Sequence, residues 1–197
     1  MDKLSYAFGM MIGRNITDIG IKTLTIADFA AAVEACLNGQ QTELTDQEAQ
    51  LTVQQFLRKL DEEKSREARE AGERYLAENA KKEGVVVTES GLQYEILTPA
   101  LGQKPKATDT VKVHYEGRLI DGTVFDSSYR RGLPLSFPLN GVIKGWTEGL
   151  QLMSIGSKYR LTIPYALAYG AQGTSGSIPP YATLVFDVEL LGIEEAE

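Results

Sequence analysis

Apolar residues recur every three to four positions up to Gly84 and every second position after it. Leu4, Ala7, Phe8, Met11, Ile12, Ile16 and Ile19 share one helical face, and that run stops at Gly20. Thr25 offers a hydroxyl to cap a second helix over 26–37, where Phe29, Ala30, Val33, Cys36 and Leu37 align before Gly39. Thr45-Asp-Gln-Glu48 has the spacing of a capping box and opens a third helix, which runs to Lys81-Lys82 before Gly84. Opposite charges stand four apart along it, at Glu62/Arg66, Arg66/Glu70, Arg69/Glu73, Glu70/Arg74 and Glu78/Lys82. Between Asp61 and Arg74 only Ala68 and Ala71 are weakly apolar, which predicts a helix crossing solvent between two bodies over roughly 60 Å. Gly9 and Gly13 lie one turn apart on the first helix. They suit close packing, either within one chain or at a seam between subunits, and the seam is the preferred reading.

The later half alternates. Val111, Val113, Tyr115 and Leu119 form one such run, Tyr159, Leu161 and Ile163 a second, and Leu184, Phe186, Val188 and Leu190 a third. Asp121-Gly122 between two runs predicts a hairpin, and Ile143, Trp146 and Leu150 mark one short helix. The fold class is therefore α+β. A helical dimerisation region over 1–44 is followed by a long connecting helix over 45–84. An antiparallel sheet wrapped on one short helix then occupies 85–197.

Charge changes the picture by exclusion. Residues 1–84 hold 11 basic and 15 acidic side chains and residues 85–197 hold 9 and 12, so neither half is a basic surface for nucleic acid. One histidine and one cysteine leave almost no zinc arrangement, and neither a metal nor a cofactor is expected. Cys36 is expected as a buried thiol and His114 as a structural residue. No phosphate loop or nucleophile elbow occurs. There is no membrane-crossing apolar run and no leader at the start, so the expected compartment is the cytoplasm, or the periplasm or cell surface if a leader was removed.

Val142 to Phe186 gathers the single tryptophan with other aromatics around glycine- and proline-shaped loops, without histidine or cysteine. Val113-His-Tyr-Glu-Gly117, Asp121-Gly-Thr-Val-Phe-Asp-Ser-Ser128, Val142-Ile-Lys-Gly-Trp146, Ala168-Tyr-Gly170 and Ile178-Pro-Pro-Tyr-Ala-Thr-Leu-Val-Phe186 follow in order. Over roughly residues 90–193 this resembles the FK506-binding family of peptidyl-prolyl cis-trans isomerases. Tyr6-x-x-Gly9-x-x-x-Gly13 and the helix layout resemble its bacterial two-domain Mip-like and FKBP22-like group.

The resemblance implies an aromatic proline pocket walled by Tyr115, Phe125 and Phe186, with Trp146 as the floor. It implies Val142 and Ile143 at the mouth, with the Ile143 amide on a substrate carbonyl. It further implies Asp126 at the edge with Arg131 as ion partner, the Tyr169 hydroxyl on the bound chain, and Phe137 and Ile178 completing the wall. Tyr6, Gly9 and Gly13 fall at the implied dimer seam. Leu135, Thr174 and Ser177 are smaller than the residues common at those positions, which bears on affinity for FK506- or rapamycin-type macrolides.

The implied reaction suits a site of this kind. Resonance sets a barrier of about 18–20 kcal/mol to rotation of a peptide bond, and the uncatalysed X–Pro step takes tens to hundreds of seconds. A dry apolar pocket that binds the twisted amide more tightly than the planar one lowers that barrier without covalent chemistry. Expected partners are proline-containing unfolded or partly folded polypeptides, with a second copy bound through 1–44. The alternative is a dimeric holdase that grips apolar segments, with isomerisation secondary.

Overall fold

The computed structural model describes residues 1–194; residues 195–197, the end of the expected isomerase region, lie outside the described residues. The chain divides into two units, Met1–Glu63 and Lys64–Glu197.

The first unit holds α1 (Lys3–Ile19), α2 (Ile26–Leu37) and the start of α3 (Asp46–Asn79). Asp2, overlooked in the sequence, caps α1 by accepting from the Ser5 amide at 2.7 Å. Thr25 occupies the cap position of α2, but its hydroxyl makes no cap bond, contrary to expectation. The capping box of α3 forms as predicted: Glu48 Oε2 accepts from the Thr45 amide at 2.9 Å, and the Glu48 amide donates to Thr45 Oγ1 at 3.2 Å. No residue of α1 or α2 is buried. Cys36 is exposed, not buried, because the apolar face that carries it has nothing of its own chain over it.

Helix α3 is continuous through Gly72 and has 34 residues. It stops at Asn79, short of the expected Lys82, and Glu78 pairs with Lys81 beyond the helix end instead of with Lys82. Its second half does not cross solvent. Ser65, Ala68, Ala71, Gly72, Tyr75, Leu76 and Asn79 form a covered face within the second unit. Small side chains allow that contact: a Cβ at Gly72 would lie 2.5 Å from Thr183 Oγ1. The Asn79 amide donates to Gln93 Oε1 at 2.9 Å, and Gln93 Nε2 donates to the Leu76 carbonyl at 2.9 Å. Lack of bulky apolar residues was thus a sign of close packing.

The second unit is an antiparallel sheet of β1 (Val85–Val87), β2 (Gln93–Thr98), β3 (Thr110–Leu119), β4 (Val124–Ser127), β5 (Leu135–Pro138), β6 (Lys158–Ile163) and β7 (Leu184–Glu194). The strand order is β1-β2-β6-β7-β3-β4, with β5 paired to the first part of β3. Two short helices, α4 (Ser128–Arg131) and α5 (Lys144–Leu152), complete it. Period two decides what is buried: Val111, Val113, Tyr115, Tyr159, Leu161, Ile163, Leu184, Phe186, Val188 and Leu190 all join one core. On the opposite sheet face Asp187 accepts from Arg160 Nε at 2.7 Å and from Arg118 Nη1 at 3.2 Å, tying β3, β6 and β7 together. Helix α5 lies close on β6, because Gly145 and Gly149 present bare backbone to Ile163 and Leu161. That contact seats Trp146 deep in the core.

Candidate active site

Between α5, β3, β4, β5 and β7 opens a cavity of about 470 Å³. It is lined by Tyr115, Phe125, Asp126, Leu135, Phe137, Gly141, Val142, Ile143, Trp146, Tyr169 and Phe186. Six of those eleven side chains are aromatic, and none is a histidine, cysteine, serine or lysine. The rings form a braced set. Trp146, 6% exposed, meets Tyr115 edge-on at 5.0 Å and Phe186 at 5.1 Å. Phe137 lies 5.3 Å from the indole, and Phe125 meets Phe186 at 5.5 Å and 86°. The indole Nε1 is buried and finds no acceptor among the described residues, so it offers the cavity no polar atom.

Phe125 and Asp126 are neighbours in sequence yet both line the cavity, which regular alternation forbids. The register between β3 and β4 slips here: Gly117 opposes Asp126 and Arg118 opposes Val124, so Phe125 is the extra residue of a bulge. Asp126 is then held by two donors, the Tyr115 hydroxyl and the Arg131 guanidinium, while Arg131 Nη2 also donates to the Tyr115 hydroxyl at 2.9 Å. Burial works to raise the Asp126 pKa, but those two hydrogen bonds and the arginine charge outweigh it and hold the carboxyl below its ordinary value. Burial, then the bond to Asp126, pushes the Tyr115 phenol up; burial, then the Asp126 charge, does the same to Tyr169. No lining group whose shift is resolved moves toward neutrality.

Ile143 immediately precedes α5, and its carbonyl accepts from the Trp146 amide at 2.9 Å, which ties the mouth of the cavity to its floor. Most expected residues therefore meet at one place. Two do not line it. Arg131 acts from outside through Asp126, and Ile178 is 5% exposed within the core, where Thr174 and Ile178 close a small bridge in the loop after Tyr169. Gly141 lines the cavity and was missed; a glycine in a turn gives no apolar signal. His114 sits behind the site, stacked on Tyr129 at 4.7 Å, with Nδ1 2.9 Å from the Ser128 hydroxyl. The Tyr129 phenol is pushed up to about 12 by burial and by its bond to Glu189.

Gly9 and Gly13 have open space where a side chain would stand, and Tyr6 is exposed. Among the described residues there is no metal-ligating cluster, and no helix is long and apolar enough to cross a membrane.

A braced aromatic cavity without acid–base or nucleophilic equipment defines a protein that works on its ligand by non-covalent means. Residues 102–191 match the family model described as FKBP-type peptidyl-prolyl cis-trans isomerase, and residues 1–96 match the domain amino-terminal to it. The chain belongs to the FKBP-type peptidyl-prolyl cis-trans isomerases. It is 48% identical over 208 residues to FkpA of Aeromonas hydrophila, covering 98% of this chain and 76% of that protein. It is 46% identical to the FKBP-type 22 kDa isomerase of Escherichia coli K12, covering 96% and 93%. The crystal structure of FkpA from Escherichia coli matches with a TM-score of 0.81 at 41% identity, covering 99% of this chain and 97% of that one.

Proposed function

We propose that the cavity floored by Trp146 binds the proline of an X–Pro segment and lowers the barrier to rotation of its peptide bond. One observation carries this reading: six aromatic rings enclose the space, and no group there is suited to proton transfer at neutral pH. Twisting the amide removes the resonance that water stabilises in the planar form. Tyr115, Phe125, Trp146 and Phe186 provide a dry surround that favours the twisted, less polar state. The Ile143 amide and the Tyr169 hydroxyl hold carbonyls of the flanking chain, so that the bond turns while its neighbours stay fixed. Asp126, kept ionised by Tyr115 and Arg131, anchors the rim. Each tenfold in rate requires about 1.4 kcal/mol of preferential binding to the twisted state. Leu135 and Val142 would contact the residue before proline, and the same slot would accept an FK506-type macrolide.

The proposed substrates are proline-containing polypeptides during folding, with isomerisation ahead of a holdase role. The proposed assembly is a homodimer through residues 1–44, with Tyr6, Gly9 and Gly13 at the seam. It is supported by the uncovered apolar faces of α1 and α2 and by the groove between them, lined by Phe8, Ile12, Phe29, Val33 and Leu37.

The test is turnover of a Leu-Pro peptide. Phe186→Ala and Asp126→Ala are each expected to lower kcat/KM more than about tenfold at unchanged oligomeric state. Full turnover in both variants would remove the assignment.

A further inference from the structure

We propose that Gly117 is a positioning residue that sets the width of the pocket. The inference rests on the reading of that cavity as the proline site. Gly117 is buried in β3 directly opposite Phe186 on β7 and Asp126 on β4, where the bulge delivers Phe125. A Cβ built there would stand 2.6 Å from Phe186 Cε1, 2.7 Å from Phe125 Cζ and 2.8 Å from Phe125 Cε2. Contacts under 3 Å force something to move, and the two partners are unequal. Phe186 is 3% exposed and braced by Trp146, whereas Phe125 is half-buried on an irregular strand. A methyl group would therefore displace Phe125 first. The edge-to-face contact of the two rings, 5.5 Å at 86°, occupies the space above the bare backbone, so it exists only while residue 117 has no side chain. Gly117 thus touches no substrate and acts through the wall that does.

The wall contacts proline in both planar and twisted states, so its loss acts mainly on binding. Gly117→Ala is expected to raise KM by about tenfold while kcat changes less than about threefold. The emission of Trp146, the only tryptophan, is expected to shift as its ring neighbours move. Placing Gly117→Ala together with Phe125→Leu removes the displaced ring edge. The double variant is expected within about threefold of Phe125→Leu alone in kcat/KM. This comparison holds even if the single alanine variant folds poorly. Wild-type KM and emission in Gly117→Ala would overturn the proposal, and so would a double variant more than about tenfold below Phe125→Leu. Phe186→Ala, assayed in parallel, separates the two claims: if it remains fully active the pocket reading itself fails, and if it is inactive while Gly117→Ala is normal only the role of Gly117 fails.

Discussion

The two units use similar amounts of apolar sequence in opposite ways. In Lys64–Glu197 the apolar positions close on one another, and Leu161, Ile163, Leu184, Val188 and Leu190 are fully buried. In Met1–Glu63 they do not: α1 and α2 bury nothing, and Leu4, Phe8, Met11 and Leu37 remain exposed, Leu37 at 81%. Isolated helices with an uncovered apolar face have little to hold them in water. A single chain therefore completes the catalytic body but leaves the helical body with half of an interface.

The largest effect that could break this contrast is a core truncation. Leu161→Ala is expected to lower the stability of the second unit by about 2–5 kcal/mol in urea unfolding, with no dependence on protein concentration. A smaller loss would mean that the core has slack the structure does not have. Next comes a charge in the helical groove: Phe8→Asp is expected to halve the mass seen by equilibrium sedimentation while leaving peptide turnover within about twofold. If the mass stays unchanged, the groove is not the seam. Gly72→Ala probes where the catalytic body begins, since its methyl would meet Thr183; about 1–3 kcal/mol of destabilisation is expected, partly recovered by Thr183→Ser. No loss would detach the helix from the sheet unit. The smallest effect is that of pH. The folded pKa of Asp126 lies below its ordinary 3.8, so its contribution to stability is whole above that value and declines as pH falls through the lower folded value. Because Tyr115 and Tyr169 are shifted upward, kcat/KM is expected to be flat from about pH 5 to 9, and a bell centred near 7 would require a proton carrier in the pocket.

The same contrast explains what could be read from the chain alone. Strand periodicity gave the buried face of β3, β6 and β7 residue by residue, and the ordered motifs gave ten of the eleven cavity residues. What stayed hidden depends on relations between segments. Nothing in Val124-Phe-Asp-Ser127 announces a register slip, yet that slip turns Phe125 and Asp126 to one side. Ile178 has the composition of a wall residue, but the bridge to Thr174 draws it into the core. Cys36 sits in a helix whose apolar stripe is genuine, and periodicity cannot tell whether the cover comes from the same chain. Ala68, Ala71 and Gly72 read as featureless because contact through small residues leaves no hydrophobic signature.

Helix α3 also bears on the order in which the chain assembles. Starting a helix is the unfavourable step, with an initiation constant of about 10⁻³, whereas each added residue is close to neutral. The turns around Gly72 and Asn79 are pinned by Thr183 and Gln93 as soon as the sheet exists, so they supply a ready seed. The exposed turns toward Asp46 then extend from that seed, and the capping box at Thr45 and Glu48 marks where extension stops. The catalytic body would thus template the helical one, and the chain would reach its partner only after its own sheet had formed.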